Sequence, residues 1–432
     1  MQALTLLVSL FGSVLVLVLQ PAKAFAVYIA VLLFYPTFLS VQLGTLDFKA
    51  GRIVAAVLLL RCLFNPAIKK NFVLNKLDMW VIFACIVPII VWPIGSHIPI
   101  LRELESWSGE LMDSLFAYLV ARLCINNRSA LVTAAKWIGI VLVPLALLGV
   151  VESSTSWQPY RAFQQYCPWD PEGVNIVARF GLYRAMGAFG HSIRFGTVFA
   201  LFLPLIYSLR HERSYWRQLA YFLSLITVIG ALSSMSSGPW MMIIIIIGCL
   251  ALEHFKYLVK PLIIFVIFSC FIVNIISNRS FYDVLVRFTN PVGGAGWHRS
   301  RLIHLAIDHF NEWWIAGYGG RDPGWGPLLG SEWTDITNQY VMAAVQNGML
   351  GVLALCGILA TAVYMLVHQH KATKDPVLRS LYWALGSTMV MTAISFNACQ
   401  FSAQTGSVYY SILGIIGSCP NFIWRSQIRI KT

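Results

Sequence analysis

Charge is what this sequence has least of. Of its 432 residues only 11% are Asp, Glu, Lys or Arg, where a soluble chain carries roughly 25%. So little charge cannot clothe a globule of this length, which excludes a soluble enzyme, a secreted disulfide scaffold and a disordered chain. Negative charge is scarcer still: 18 Asp and Glu against 31 Lys and Arg leave a formal net charge of +13. In a soluble protein that excess would suggest nucleic acid. Here no nucleic-acid partner is implied, because cytoplasmic loops of membrane proteins are enriched in Lys and Arg. The nine cysteines lack zinc-site spacing and a paired framework. Cys62, Cys85, Cys124, Cys249, Cys270 and Cys356 lie in apolar runs and read as small core residues. Cys167, in a loop, and Cys399, near the end of an apolar run, leave one bridge open. No compact set of histidines and carboxylates suggests a metal, and no Ser/His/Asp or Cys/His nucleophile arrangement can be assembled. No internal repeat is visible, which weighs against a transporter built from two related halves.

Apolar residues are what the chain has in abundance: 58% is hydrophobic and the mean hydropathy is +0.71. A helix needs about 20 mostly apolar residues to span a bilayer. Candidate spans run near 3–19, 25–41, 53–65, 78–94, 112–125, 133–151, 195–209, 216–234, 239–253, 259–277, 341–367, 378–397 and 405–424. Basic residues cluster in every second connection: Lys69, Lys70 and Lys76; Arg122, Arg128 and Lys136; Arg210, Arg213 and Arg217; Lys256 and Lys260; Lys371, Lys374 and Arg379; Arg425, Arg429 and Lys431. By the positive-inside tendency these face the cytoplasm, as does the C-terminus. The two longest connections, about 152–194 and 278–340, then lie outside. The N-terminus has two readings: Met1 outside, or a cleaved signal ending at Ala22-Lys23-Ala24. The expectation is an all-α polytopic membrane protein, one integral membrane domain over 1–432, with twelve or thirteen transmembrane helices and short amphipathic helices in its outer loop.

The two outer loops carry the chemistry-bearing residues. The first holds Trp157, Tyr160, Arg161, Tyr166, Trp169, Arg179, Tyr183, Arg184 and Arg194. Its rings fit an interfacial belt or stacking on sugar faces, and composition does not separate the two. Arg184 and Arg194 bracket Gly187 and Gly190 just before a span. Snorkelling to lipid phosphates would account for them; so would gripping a phosphate-bearing substrate, since a guanidinium forks onto phosphate oxygens and keeps its charge. The second loop holds Arg279, Arg287, Arg299, Arg301 and Arg321 with Trp297, Trp313, Trp314, Trp325 and Trp333. A helix is predicted from about Trp297 to Trp314, with Ile303, Ala306, Ile307, Phe310 and Trp314 on its apolar face and Arg301, His304 and Asp308 opposite. Such a helix would lie on the membrane or cap a cavity. The Gly317–Gly324 stretch reads as a loop whose backbone N–H groups could also meet an anion. It is not a nucleotide P-loop, because no Gly-Lys-Ser/Thr follows.

Three places resemble the O-antigen ligase and polymerase family, which includes exopolysaccharide-repeat polymerases. Arg184–Gly196, RAMGAFGHSIRFG, followed by Leu203-Pro204-Leu205, is similar to that family's Arg-x-x-Gly-x-Phe segment ahead of a span. Ser233-Ser234-Met235-Ser236-Ser237-Gly238 resembles its Ser-rich outer turn. Gly293–Gly351 resembles its large loop, with Arg299 or Arg301 opening a helix, then Gly317-Tyr318-Gly319, Asn338-Gln339-Tyr340 and Gly348-Met349-Leu350-Gly351. The resemblance implies a glycosyltransferase of the bacterial inner membrane working at its outer (periplasmic) face, without nucleotide sugar, cofactor or metal. Its donor is a saccharide on undecaprenyl pyrophosphate, and a chain-length regulator and other polysaccharide-assembly proteins are expected partners besides the lipid bilayer.

Developing charge on a pyrophosphate leaving group is best met by fixed cations in a water-poor site. On the resemblance, Arg184, Arg299 and Arg301 are assigned to it, with Arg194, Arg321, Trp297, Tyr318, Asn338 and Tyr340 as further substrate contacts. One departure matters: the ligases place a His, a candidate base, before the Asn that opens the eleventh span, and Thr337 stands there. The base is then sought among Glu332, Asp335 and His304. The departure favours a polymerase, which joins a glycan to another lipid-linked repeat, over a ligase acting on a lipid A-core or other acceptor. A non-enzymatic transporter or flippase is the remaining alternative, disfavoured because the span centres hold almost no charge.

Overall fold

The structure is a computed structural model of the whole chain, and it describes all residues except 45, 70–71, 96–98, 168–177, 213–214, 277–282, 285–295 and 423–432. Trp169, Lys70, Arg213, Arg279, Arg287, Gly293 and the basic cluster Arg425, Arg429 and Lys431 lie outside the described residues.

The described chain is almost wholly helical. It begins with α1 (Gln2–Val18) and α2 (Pro21–Phe34), then a small hairpin of β1 (Ser40–Leu43) and β2 (Leu46–Lys49), then α3 (Ala50–Phe64) and α4 (Lys76–Gly95). Next come α5 (Ile100–Leu111), a π-helical turn (Met112–Phe116) and α6 (Ala117–Cys124), followed by α7 (Arg128–Thr155), α8 (Ser192–Ser208), α9 (Tyr215–Ser233), α10 (Ser237–Ala251) and α11 (Val259–Ile276). The large loop contains α12 (Gly296–Asp308), and α13 (Gln339–Ala372), α14 (Pro376–Ser395) and α15 (Gln404–Ser418) complete the chain. Each apolar stretch singled out above contains a helix over its described residues, but 25–41 is helical only as far as Phe34 and 341–367 is broken at Gly348. Among the described residues seven helices are long and apolar enough to cross a membrane: Lys76–Gly95, Arg128–Thr155, Ser192–His211, Tyr215–Ser233, Lys256–Ile276, Gln339–Ala372 and Pro376–Ser395. Gln2–Val18, Pro21–Phe34 and Ser237–Ala251 are shorter apolar helices. The stretch 25–41 is interrupted at Phe34, where Pro36 follows and disfavours the helical conformation of Tyr35.

Helix α8 is the centre of the bundle. Beyond its first turn it is almost wholly apolar, and Phe195, Phe199 and Phe202 are fully buried, as expected for a helix without a polar face. Side chains cap the helix starts: Asn127 accepts from the Ala130 N–H at 2.9 Å, and Asp375 from the Val377 N–H at 2.9 Å. At one end of the bundle the acidic and basic side chains pair with each other. Arg122 Nε lies 3.2 Å from Asp78 Oδ1, both fully buried, and Arg210 reaches Glu253 at 2.7 Å.

The opposite end, called here the loop end, gathers the C-termini of α2, α7, α9 and α14 with the starts of α8, α10, α13 and α15. Tyr160 Oη bonds Phe34 O at 2.7 Å, Ala185 N bonds Ser233 O at 3.1 Å, Gln339 N bonds Phe396 O at 2.8 Å, and Gln404 Nε2 bonds Ala188 O at 3.2 Å.

The two glycine motifs of the large loop interlock there. Gly348 breaks α13 with φ 62° and ψ −159°, and a Cβ on it would stand 2.6 Å from Ile315 O. Gly317, at φ 65°, would drive a Cβ to 2.5 Å from Val345 O. Tyr318 N then bonds Val345 O at 2.6 Å and Met349 N bonds Trp314 O at 2.9 Å. Only glycine permits so close an approach of backbone to backbone in these conformations.

Candidate functional site

Arg184 is held from its backbone outward. Glu152, buried at the end of α7, accepts the Met186 and Gly187 N–H groups at 2.8 and 2.9 Å. Gln158 Nε2 donates to Arg184 O at 3.2 Å. The Arg184 side chain then donates from Nη2 to Ser236 Oγ at 2.8 Å, while its Nε is buried without a partner. Ser236 Oγ lies 3.0 Å from Ser192 Oγ. The segment RAMGAFG and the Ser-rich turn are thus one unit.

His191 caps α8, its Nδ1 accepting the Ile193 N–H at 3.1 Å, so the neutral ring carries its proton on Nε2. Burial, then Arg194 and Arg184, push its pKa down to about 4. The ring is neutral between two guanidinium groups. Arg194 follows in the first turn of α8.

Arg299 comes from the large loop. Its Nε and Nη1 are buried and have no hydrogen-bond partner among the described residues, and the residue is 3% exposed. Burial lowers its pKa, opposed by Cys399 and Asp335, and the same two groups act on Arg194. Burial likewise pushes the Cys399 thiol up to about 11 against the pull of Arg299 and Arg194. Cys399 and Cys167 are both free, so the bridge left open by the sequence is not formed. Lys49, at the end of β2, is repelled by Arg194 as well. The loop end therefore carries three arginines, a lysine and a neutral histidine, linked through Arg194, with guanidinium donors left unbonded among the described residues. Buried polar groups without partners are rare, and unbonded donors on cations that repel one another are what an anion would satisfy.

The other candidates from the sequence distribute differently. Arg301, two residues beyond Arg299, is turned to another side of α12, since a helix rotates about 100° per residue. Helix α12 ends at Asp308, and its buried face is Arg299, Leu302, Leu305 and Ala306. Ile307, Phe310 and Trp314, expected on the apolar face, are exposed. The helix is rolled so that Arg299 points inward and Leu302 and Leu305 pack on Trp325, Leu329 and Val341. Arg321 is exposed and bonds Gly95 O and, at 3.3 Å, Tyr318 O, so it ties the loop to α4. Trp297 is exposed. Tyr318 donates to Glu312 Oε2 at 2.7 Å. Asn338 Oδ1 caps α13 through the Tyr340 and Val341 N–H groups at 2.8 and 3.1 Å, and Tyr340 Oη bonds Ala393 O at 2.9 Å.

Of the three carboxylate or imidazole bases considered, Asp335 stands within electrostatic reach of Arg299 and Arg194. Glu332 is exposed, and His304 lies 3.4 Å from Asp283. Thr337 Oγ1 is buried without a partner. Sequence reasoning assigned no role to His191 or to Lys49. The available signal for His191 was its place between two arginines, at the start of a span. Among the described residues no group of three His, Cys, Asp or Glu side chains could hold a metal. No known protein family and no curated protein matches this chain.

Proposed function

We propose that the protein is a multi-pass membrane glycosyltransferase of the bacterial inner membrane, a polymerase of lipid-linked oligosaccharide repeats acting at the outer face. The observation that carries this reading is Arg299, buried with two guanidinium nitrogens unbonded among the described residues and sharing Cys399 and Asp335 as electrostatic neighbours with Arg194, which in turn acts on His191 together with Arg184. In the reaction an acceptor hydroxyl oxygen bonds to the anomeric carbon of the donor sugar. The bond from that carbon to pyrophosphate breaks, and its electron pair leaves with the pyrophosphate. Arg184, Arg194 and Arg299 meet the charge so formed, with the neutral His191 Nε2–H as a further donor. The hydroxyl proton passes to a base, for which Asp335 has the best position of the three candidates. Thr337, where a ligase shows His, has no proton-accepting nitrogen, which supports the polymerase over the ligase.

The test is polymer formation from purified lipid-linked repeats by Arg299→Ala and Arg299→Lys. Removing a preorganised donor to developing charge costs about 10²–10³ in rate. Lysine keeps the charge but not the planar fork, so Arg299→Lys is expected to lose nearly as much. Full activity in both variants would overturn the assignment.

A further inference from the structure

A cavity of about 330 Å³ opens at the loop end between α4, α5, α13 and the link from α14 to α15, a size typical of ligand pockets. One part of its wall is apolar, with Ala354, Leu355 and Ile358. The other part is polar and uncharged apart from Glu110 and Asp113, with Gln346, Asn347, Gln400 and Ser402. Arg52 occupies the Asp113 carboxylate from Nε and Nη2 at 2.8 and 2.6 Å. Glu110 lines the cavity and is exposed to it, and among the described residues no hydrogen bond to its carboxyl is formed. Ser402 Oγ is buried without a partner. Trp107 is held by its Nε1 bond to Cys85 O at 2.7 Å, and Trp92 Nε1 holds Asn347 Oδ1 at 3.0 Å, leaving that amide's N–H groups to donate.

This wall abuts the arginine cluster. Gln400 to Ala403 follow directly on Cys399, which lies in the field of Arg299 and Arg194. Lys49 joins the two from the other side, 3.8 Å from Asp113 and repelled by Arg194. The two neighbouring sites differ in sign. Carboxylates repel phosphate, and unbonded polar groups are wasted on acyl chains. Hydroxyls that both donate and accept satisfy a carboxyl, a serine and amides together.

We propose that this cavity binds the acceptor saccharide, a neutral hydroxyl-rich glycan whose hydroxyls bond Glu110, Ser402 and the Gln346 and Asn347 amides beside the Trp107 ring. The proposal rests on the polymerase reading for its place in the reaction, but the binding it requires is measured without turnover. Burial and the Asp113 charge push Glu110 up to about 7, Arg52 opposing. The titratable and charged groups facing it are Arg52 of α3, Cys85 of α4, Asp113 of the π-turn and Tyr410 of α15, with Asp47 and Lys49 of β2 acting on Arg52 behind them; the part of α13 lining the cavity brings none. An ionised carboxylate accepts a hydroxyl hydrogen bond more strongly than the neutral acid. Saccharide affinity therefore rises as pH is raised through about 7.

The experiment titrates the full-length protein in lipid nanodiscs with oligosaccharides released by mild acid from the host's lipid-linked pool. Calorimetry at pH 6 and pH 8 reads saccharide affinity, and inorganic pyrophosphate is titrated in parallel. Glu110→Gln is expected to weaken saccharide binding roughly tenfold to a hundredfold, the loss of one charged hydrogen bond, and to remove its pH dependence. Ala354→Leu, which fills the cavity without touching a polar group, is expected to weaken it as well and decides the matter if Glu110→Gln does not fold. Both variants keep pyrophosphate binding. Unchanged saccharide affinity in both, or a cavity filled by phospholipid that the saccharide does not displace, would overturn the proposal. Arg299→Ala is expected to keep saccharide binding. If it also keeps pyrophosphate binding, the arginine assignment fails while the saccharide site stands.

Discussion

Arg184 Nη2 lies 2.8 Å from Ser236 Oγ, although 52 residues separate them in the chain. Ser236 stands just before α10 and makes no capping bond with its side chain, so its hydroxyl is available to orient the guanidinium. Ser236→Ala is expected to lower polymer formation roughly tenfold, the cost of a hydrogen bond to a charged group. Arg184→Ala should cost about 10²–10³. If Ser236 acts through Arg184, the double variant is no slower than Arg184→Ala alone. Additive losses in purified enzyme would show that the two act separately.

His191 predicts a stability profile. Its pKa is held down to about 4 in the fold, against 6.5 for an unhindered ring. Between those values the unfolded chain binds more protons than the folded one, so stability falls as pH drops from 6.5 towards 4. Thermal melting from pH 7 to pH 5 should show that loss, and His191→Gln should reduce it. Added pyrophosphate, an anion beside the ring, should raise the His191 pKa and shrink the loss. A pyrophosphate effect equally large in His191→Gln would place the anion elsewhere.

Gly348 supplies a prediction about positioning. A Cβ there meets Ile315 O at 2.6 Å while the backbone sits at φ 62°, so Gly348→Ala must move the 310–318 segment away from α13. Strain of this kind costs of order 1–3 kcal/mol. The expected result is lower thermal stability together with a drop in polymer formation. Gly248→Ala, where no atom lies within 4 Å of the added Cβ, serves as the control and should change neither.

Deletion of the gene distinguishes the two transferases. A polymerase deletion leaves short lipid-linked repeats and no long polysaccharide. Full-length polymer accumulating on undecaprenyl pyrophosphate would instead identify a ligase. Reporter fusions after Gly293 and Lys371 should give opposite compartments; the same compartment for both would end the outer-face reading.

Composition and periodicity were enough to read the helices. A chain with 11% charge and long apolar runs has no arrangement but packed helices in which its backbone groups are satisfied. The runs themselves mark where those helices lie. Basic clusters separated the two ends of the bundle, because Arg122, Arg128 and Arg210 sit away from the loop end and pair with acids there. Arg184 and Arg299 could be singled out as guanidinium groups in the long connections, but Arg299 could not be told apart from Arg301.

That distinction belongs to the tertiary structure. Which side of α12 faces inward depends on the packing of Leu302 and Leu305 against Trp325 and Val341. Hydrophobic periodicity within 297–314 averages over these long-range contacts, and it selected Ile307 and Trp314, which are exposed. His191 and Glu110 were harder to read for a related reason. Their charged neighbours Arg184, Arg194 and Asp113 are close in sequence, but the burial around them, and Arg52 beside Glu110, come from elements distant in the chain, and a side chain's charge state follows from what surrounds it in space.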